Sequence, residues 1–252
     1  MLTELIEVNL FQFLLVFVRM GSALMTFPGF GGRLVNARAR LSLALLISLV
    51  VLPAVQSGLP PMPVTVPGLL LLILREAAIG LFFGLLMQVM MGALVFAAQV
   101  ISMQAGLSNA LSFDIIAEQQ GAVLSSFLTN LALVLIFALN LHHLMLLAVI
   151  DSYTLFLPGQ GLPWGDAADM LANMVNTSFR IGLQMAAPVM VAVLVFFAGL
   201  GLLSRLMPQM QIFFIALPLQ NILGLGLLMM ALSAMMLVFF DYFESTLMSF
   251  IE

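Results

Sequence analysis

The chain has no cysteine and no lysine; its seven basic residues, all arginine, are scattered through 252 positions. Without thiols there is no disulfide framework, no thiolate metal site and no cysteine nucleophile. Charged residues make up 7% of the chain, and a pI near 5.0 with no basic run argues against a nucleic-acid surface and against a polybasic lipid patch. The two histidines, His142 and His143, are adjacent, so on a helix they splay apart, and neither belongs to a His-Glu-x-x-His pattern. No metal and no cofactor is expected. The start, Met1-Leu-Thr-Glu-Leu-Ile-Glu7, is acidic where a secretory leader would be basic, so the first apolar run is expected to stay in the protein.

What is abundant is apolar surface. At 63% hydrophobic residues and a mean hydropathy of +1.23, a water-soluble domain would expose large apolar patches. The composition specifies an all-α integral membrane protein. Six stretches approach the length of a spanning helix: Val8–Phe27, Leu41–Gln56, Leu69–Ala98, Ala122–Ile150, Phe179–Ser204 and Ile212–Phe240. The third would be about 45 Å long as helix, more than a hydrocarbon core of about 30 Å, so it must tilt, kink or project. Arg33, Arg38, Arg40 and Arg205 fall in one set of connections. Glu4, Glu7, Asp151, Asp166, Asp169 and Glu252 fall in the other, which places both termini outward.

Proline and polar residues punctuate this pattern. Leu59-Pro-Pro-Met-Pro-Val-Thr-Val-Pro67 cannot be helical throughout and reads as a stiff extended connector. Pro188 should kink or split the fifth stretch. Asp169, Asn173, Thr177, Arg180 and Gln184 form a polar stripe at helical spacing, suited to an aqueous path, a membrane surface or another subunit. Gly199-Leu-Gly-Leu-Leu203 and Gly224-Leu-Gly-Leu-Leu228 flank the turn at Arg205–Pro208 and suggest an antiparallel hairpin. Gln99–Gly121 is rich in Gln, Ser and Gly and carries no basic residue; lipid cannot satisfy an irregular backbone, so it must lie in water, in protein or across a water-filled path.

Ionisable groups inside apolar stretches are few. Arg75 and Glu76 are neighbours that point about 100° apart, so each needs its own partner; Glu76 is either half of an interhelical ion pair or a proton relay. Arg19 reads as an interhelical contact or a snorkelling side chain. Gly80 and Gly84 permit a close helix crossing. A rhomboid-type protease reading fails on its motif, because Gly106-Leu-Ser-Asn109 lacks the glycine that should follow the serine, and the His pair lies in the next stretch.

Gly199-Leu-Gly-Leu-Leu-Ser-Arg-Leu-Met-Pro-Gln-Met-Gln-Ile-Phe-Phe-Ile-Ala-Leu-Pro-Leu-Gln220 resembles the signature of the FliR family, the R subunit of the flagellar type III export gate, whose injectisome counterparts are the T-subunit family. Arg19 followed by Pro28-Gly-Phe-Gly31, then Arg75-Glu76 with Gly80 and Gly84, Met103-Gln-Ala-Gly-Leu-Ser108 and Leu139-Asn-Leu-His-His-Leu144 continue the likeness in family order. The chain departs from it at Gln211, Gln220, Leu141 and Ile115, where the family often has Asn, Lys, Gly and Pro.

The resemblance implies a non-enzymatic, structural and pore-forming subunit that passes unfolded proteins across the bacterial inner membrane. It would assemble with FliP and FliQ, beside FlhB and FlhA, in the flagellar basal body, with residues 1–165 P-like and 166–252 a Q-like helical hairpin. The termini would be periplasmic. Met103, Gln104, Gly106, Leu107, Ser108, Asn109 and Phe113 would belong to a plug closing the pore, and Arg19, Arg75, Glu76, Gly80, Gly84, His142, His143, Arg180, Arg205, Pro208 and Gln209 to contacts between helices or subunits. Injectisome use and a small-solute transporter coupled through Glu76 are the alternatives.

Overall fold

The computed structural model describes residues 2–32, 35–106, 121–159, 163–206 and 212–251. Within them the chain is helical: α1 Leu2–Thr26, α2 Ala37–Val55 with a 3₁₀ turn Gln56–Gly58, α3 Val66–Gln104, α4 Gly121–Ala138, α5 Leu141–Leu155, α6 Trp164–Leu206 and α7 Ile212–Met248. No strand occurs among the described residues.

α2, α3, α6 and α7 are each long and apolar enough to cross a membrane, and α4 and α5 together would supply a fifth, broken span. The fourth apolar stretch, expected as one element, is therefore two. The break falls at Asn140, whose φ of 60° lies in the left-handed region. Asn is among the few residues that tolerate this conformation, and a single such residue ends a helix. Of the two expectations at Pro188, a kink or a split, the split does not occur: α6 runs through it for 43 residues. The Pro-rich connector is non-helical from Leu59 to Thr65, and α3 starts at Val66 with Pro67 in its first turn, where a missing N–H costs nothing.

Contacts group the chain into two compact units. The first holds residues 1–90, 136–174 and 244–252. In it α1 buries Phe11, Leu15, Val16, Arg19, Met20, Ala23 and Leu24, a stripe at helical spacing. α3 crosses α1 at two glycines: a Cβ on Gly80 would collide with Ser22 Oγ and the Arg19 carbonyl, and one on Gly84 with Thr26 Oγ1. Ser22 and Thr26 turn their hydroxyls onto their own helix, donating to the carbonyls of Arg19 and Ala23, so the crossing carries no unpaired hydroxyl. Gln88 Nε2 donates to the Thr26 carbonyl at 2.9 Å and caps α1. On α2 only Ala44, Ser48, Val51 and Val55 are buried, while Leu41, Leu46, Leu49 and Val50 face outward.

The second unit holds residues 91–135 and 175–243. Here Gly182 of α6 lies against the Ala93 carbonyl and the Phe96 ring of α3, and the Phe96 and Phe179 rings are 4.0 Å apart at their centroids. Ser178 Oγ and Tyr242 OH share a hydrogen bond of 2.8 Å. α6 ends at Leu206 and α7 begins at Ile212, so a contact between Ser178 and Tyr242 makes the two an antiparallel hairpin. The Gly repeats serve it unequally. Gly224 meets Ala105 of α3, whereas Gly199, Gly201 and Gly226 have open space at the Cβ position.

Gly80→Leu is expected to lower the amount of folded protein in membranes and the thermal unfolding midpoint in mild detergent, since overpacking costs typically about 1–3 kcal/mol. Gly199→Leu should leave both unchanged, because nothing stands where its side chain would go.

Candidate functional site

Two polar clusters sit in this apolar molecule, one in each unit. The first centres on Arg19, which is fully buried, as is Glu76. Arg19 Nε donates to Glu76 Oε2 at 2.7 Å, Nη1 to Ser152 Oγ at 3.2 Å and Nη2 to the Phe156 carbonyl at 3.1 Å. Its guanidinium carbon lies 3.9 Å from the centroid of the Tyr153 ring, a cation–π arrangement. Phe156 caps α5, and the last turn of α5 has no basic residue of its own. Arg19, borrowed from α1, therefore supplies the donor and the positive charge that a helix C-terminus favours. Arg75 does not pair with its neighbour Glu76 but donates from Nη1 to the Gly159 carbonyl at 2.7 Å. Two arginines on different helices thus tie down the segment between Ser152 and Gly159.

Glu76 Oε1 and the Tyr153 hydroxyl are buried without a hydrogen-bond partner among the described residues. The Arg19 charge is neutralised at hydrogen-bond distance and three of its donors are used, as a buried charge requires. Removing either partner strands the other in an apolar interior. Its geometry is that of a clamp holding α1, α3 and α5 together.

The second cluster lies where α3 ends and Gln99–Gly121 begins. Met103 is 70% exposed. Gly106 has φ +71°, and a Cβ there would stand 3.1 Å from Asn221 Oδ1 and from Gln220 Cδ of α7. Gln220 Nε2 donates to the Gln104 carbonyl at 2.7 Å. Leu107, Ser108, Asn109 and Phe113 lie outside the described residues, as do Pro208 and Gln209.

The other candidates stand apart from these clusters. His142 and His143 stack with ring centroids 4.1 Å apart, and Phe137 lies 5.1 Å from His142, just after the break at Asn140. No group of three or more His, Asp or Glu residues suited to a metal occurs among the described residues. Arg180 and Arg205 are exposed on α6, and so are Asp169, Asn173 and Gln184 of the polar stripe. Asp166, suited by the sequence to the N-cap or first turn, lies in the first turn because α6 starts at Trp164. The sequence patterns did not single out Ser152, Phe156 or Asn221 and gave Gln220 no role. The available signal was Gln220-Asn221, two adjacent amides within the apolar stretch Ile212–Phe240, which in a membrane must find partners.

These features define an all-helical membrane protein whose helices are joined by small residues and buried polar clusters. Residues 10–246 match the family of bacterial export proteins, family 1. The chain is 42% identical over 233 residues to the flagellar biosynthetic protein FliR of Caulobacter vibrioides, covering 92% of this chain and 93% of that protein. It is 30% identical over 238 residues to that of Bacillus subtilis, covering 93% and 91%, and 30% identical over 212 residues to that of Escherichia coli, covering 84% and 80%. The chain belongs to this export family, that of the FliR proteins, and is a membrane-embedded component of flagellar protein export.

Arg19→Ala and Glu76→Ala should each destabilise the protein by about 3–5 kcal/mol, because each leaves a buried charge unpaired. The charge exchange Arg19→Glu with Glu76→Arg should not rescue, since the Phe156 carbonyl would face a carboxylate. Thermal melting of the solubilised chain reads both. Gly106→Ala should cost about 1 kcal/mol or more, from the left-handed φ and from crowding of Asn221, with α3 fraying at its end in amide hydrogen exchange.

Proposed function

We propose that the chain is a structural, pore-forming subunit of a type III protein export gate, passing unfolded flagellar proteins across the bacterial inner membrane. The observation that carries this reading is the 42% identity to a flagellar FliR protein across nearly the whole of both chains. In this reading the subunit assembles with FliP and FliQ beside FlhB and FlhA, its first 165 residues P-like and residues 166–252 a Q-like hairpin, with both termini periplasmic.

A pore for unfolded chains of any sequence cannot carry a tight pocket or a fixed charge ring. A lining of uncharged polar groups and pliable apolar side chains suits it, and apolar constrictions close such a pore by excluding water. We assign that closure to Met103–Phe113. Supporting it are the uncharged run Gln104-Ala-Gly-Leu-Ser-Asn109, the exposure of Met103 and the left-handed φ of Gly106 just after α3. Phe113 is the stopper and Met103 the seal. Asp114 and Glu118, four apart, would face the cytoplasmic mouth. Arg180 and Arg205, exposed on α6, together with Pro208 and Gln209, are assigned to contacts between helices or subunits.

Phe113→Ala is expected to make the closed gate leak ions, raising passive conductance severalfold in cells or bilayers holding the assembled complex. Unchanged conductance would remove the plug assignment.

A further inference from the structure

Nothing in the last turn of α3 stops it: Ala98-Gln-Val-Ile-Ser-Met-Gln104 contains neither Pro nor Gly. A helix end leaves its final carbonyls without intrahelical partners. Here the Ile101 carbonyl accepts from Ala105 N at 2.7 Å and the Met103 carbonyl from Gly106 N at 3.2 Å. The Gln104 carbonyl accepts from the side-chain amide of Gln220 at 2.7 Å, and Gln220 is 3% exposed. One turn along α7, Gly224 admits Ala105 so closely that a Cβ on the glycine would stand 2.8 Å from the Ala105 Cα. Asn221 turns its buried Oδ1 toward Gly106, with no hydrogen-bond partner among the described residues. Three residues on one side of α7 thus meet the last residue of α3 and the two that follow it.

We propose that Gln220 is a positioning residue for the gate: by capping the Gln104 carbonyl it holds the end of α3, and with Asn221 and Gly224 it seats Ala105 and Gly106 against α7. Gly106, at φ +71°, supplies the local helix stop; the partner of the Gln104 carbonyl comes from a residue 116 positions away. The bond is a single neutral one, and such bonds bias an equilibrium by roughly two- to tenfold without locking it. That strength suits an element that has to release and re-form. Its bearing on gating rests on the plug reading, through which α7 would hold the closed position; the positioning of the α3 end does not depend on that reading.

The test is amide hydrogen exchange at residues 101–106 of the full chain within its assembled complex, in lipid nanodiscs. Gln220→Leu should exchange roughly two- to tenfold faster at Ala105 and Gly106. Gln220→Glu, which keeps the shape and sets a carboxylate against the Gln104 carbonyl, should exchange at least as fast. Gln220→Lys, which keeps an N–H donor, should recover most of the protection. Unchanged exchange in both Gln220→Leu and Gln220→Glu overturns the proposal, and so does equal acceleration in all three variants. Ion leak in Phe113→Ala, measured in parallel, separates the two ideas. Leak without any change of exchange in the Gln220 variants removes the positioning role and keeps the plug. Faster exchange in Gln220→Leu, with no leak in Phe113→Ala, keeps the positioning role and removes the plug.

Discussion

A charge with no water around it must be neutralised and hydrogen-bonded, and the Arg19–Glu76 pair imposes that requirement on the first unit. The guanidinium is a planar fork, so its acceptors have to arrive from set directions. They come from Glu76 of α3 and from Ser152 and Phe156 at the end of α5. α3 approaches α1 closely one turn from Glu76, where a Cβ on Gly80 would strike Ser22 Oγ and the carbonyl of Arg19 itself. Ion pair and close crossing thus meet at the same residue of α1. A lysine at position 19 would bring the charge without the fork and would leave the end of α5 uncapped.

The same logic explains why apolar side chains are poor guides to this fold. Lipid tails are as apolar as leucine, so helices gain little by hiding leucine from lipid, and packing, small residues and polar contacts decide which faces meet. Leu46, Leu49, Val50, Leu194 and Met230 are exposed, whereas Arg19, Glu76, Ser102, Ser178 and Gln220 are buried. In water that distribution would drive aggregation. In the second unit Gly182 and the Ser178–Tyr242 bond join helices by those means.

Where an element depended on local chemistry it was legible in the sequence. Apolar runs marked the helices, the prolines after Leu59 marked the connector, and the Asp166–Gln184 periodicity marked the start of α6. Breaks were harder. Asn140 lies within the apolar stretch Ala122–Ile150, and residue type alone does not show that its φ is positive, while at Pro188 a 43-residue helix runs on without splitting. Partners were least legible, because they depend on helix rotation. Arg19 and Glu76 are 57 positions apart and Gln220 and Gln104 are 116 apart; the sequence showed that Glu76 needed a partner without showing which, and it gave Gln220 no role. The family likeness gave order along the chain, and it too was silent on these pairings.

Arg75 reaches the Gly159 carbonyl, and Gly159 adjoins Pro60 of the extended connector between α2 and α3. Two adjacent residues of α3 therefore serve different partners, Glu76 pairing with α1 and Arg75 with the segment after α5, so a single turn of one helix is pinned from two sides and its rotation is fixed there.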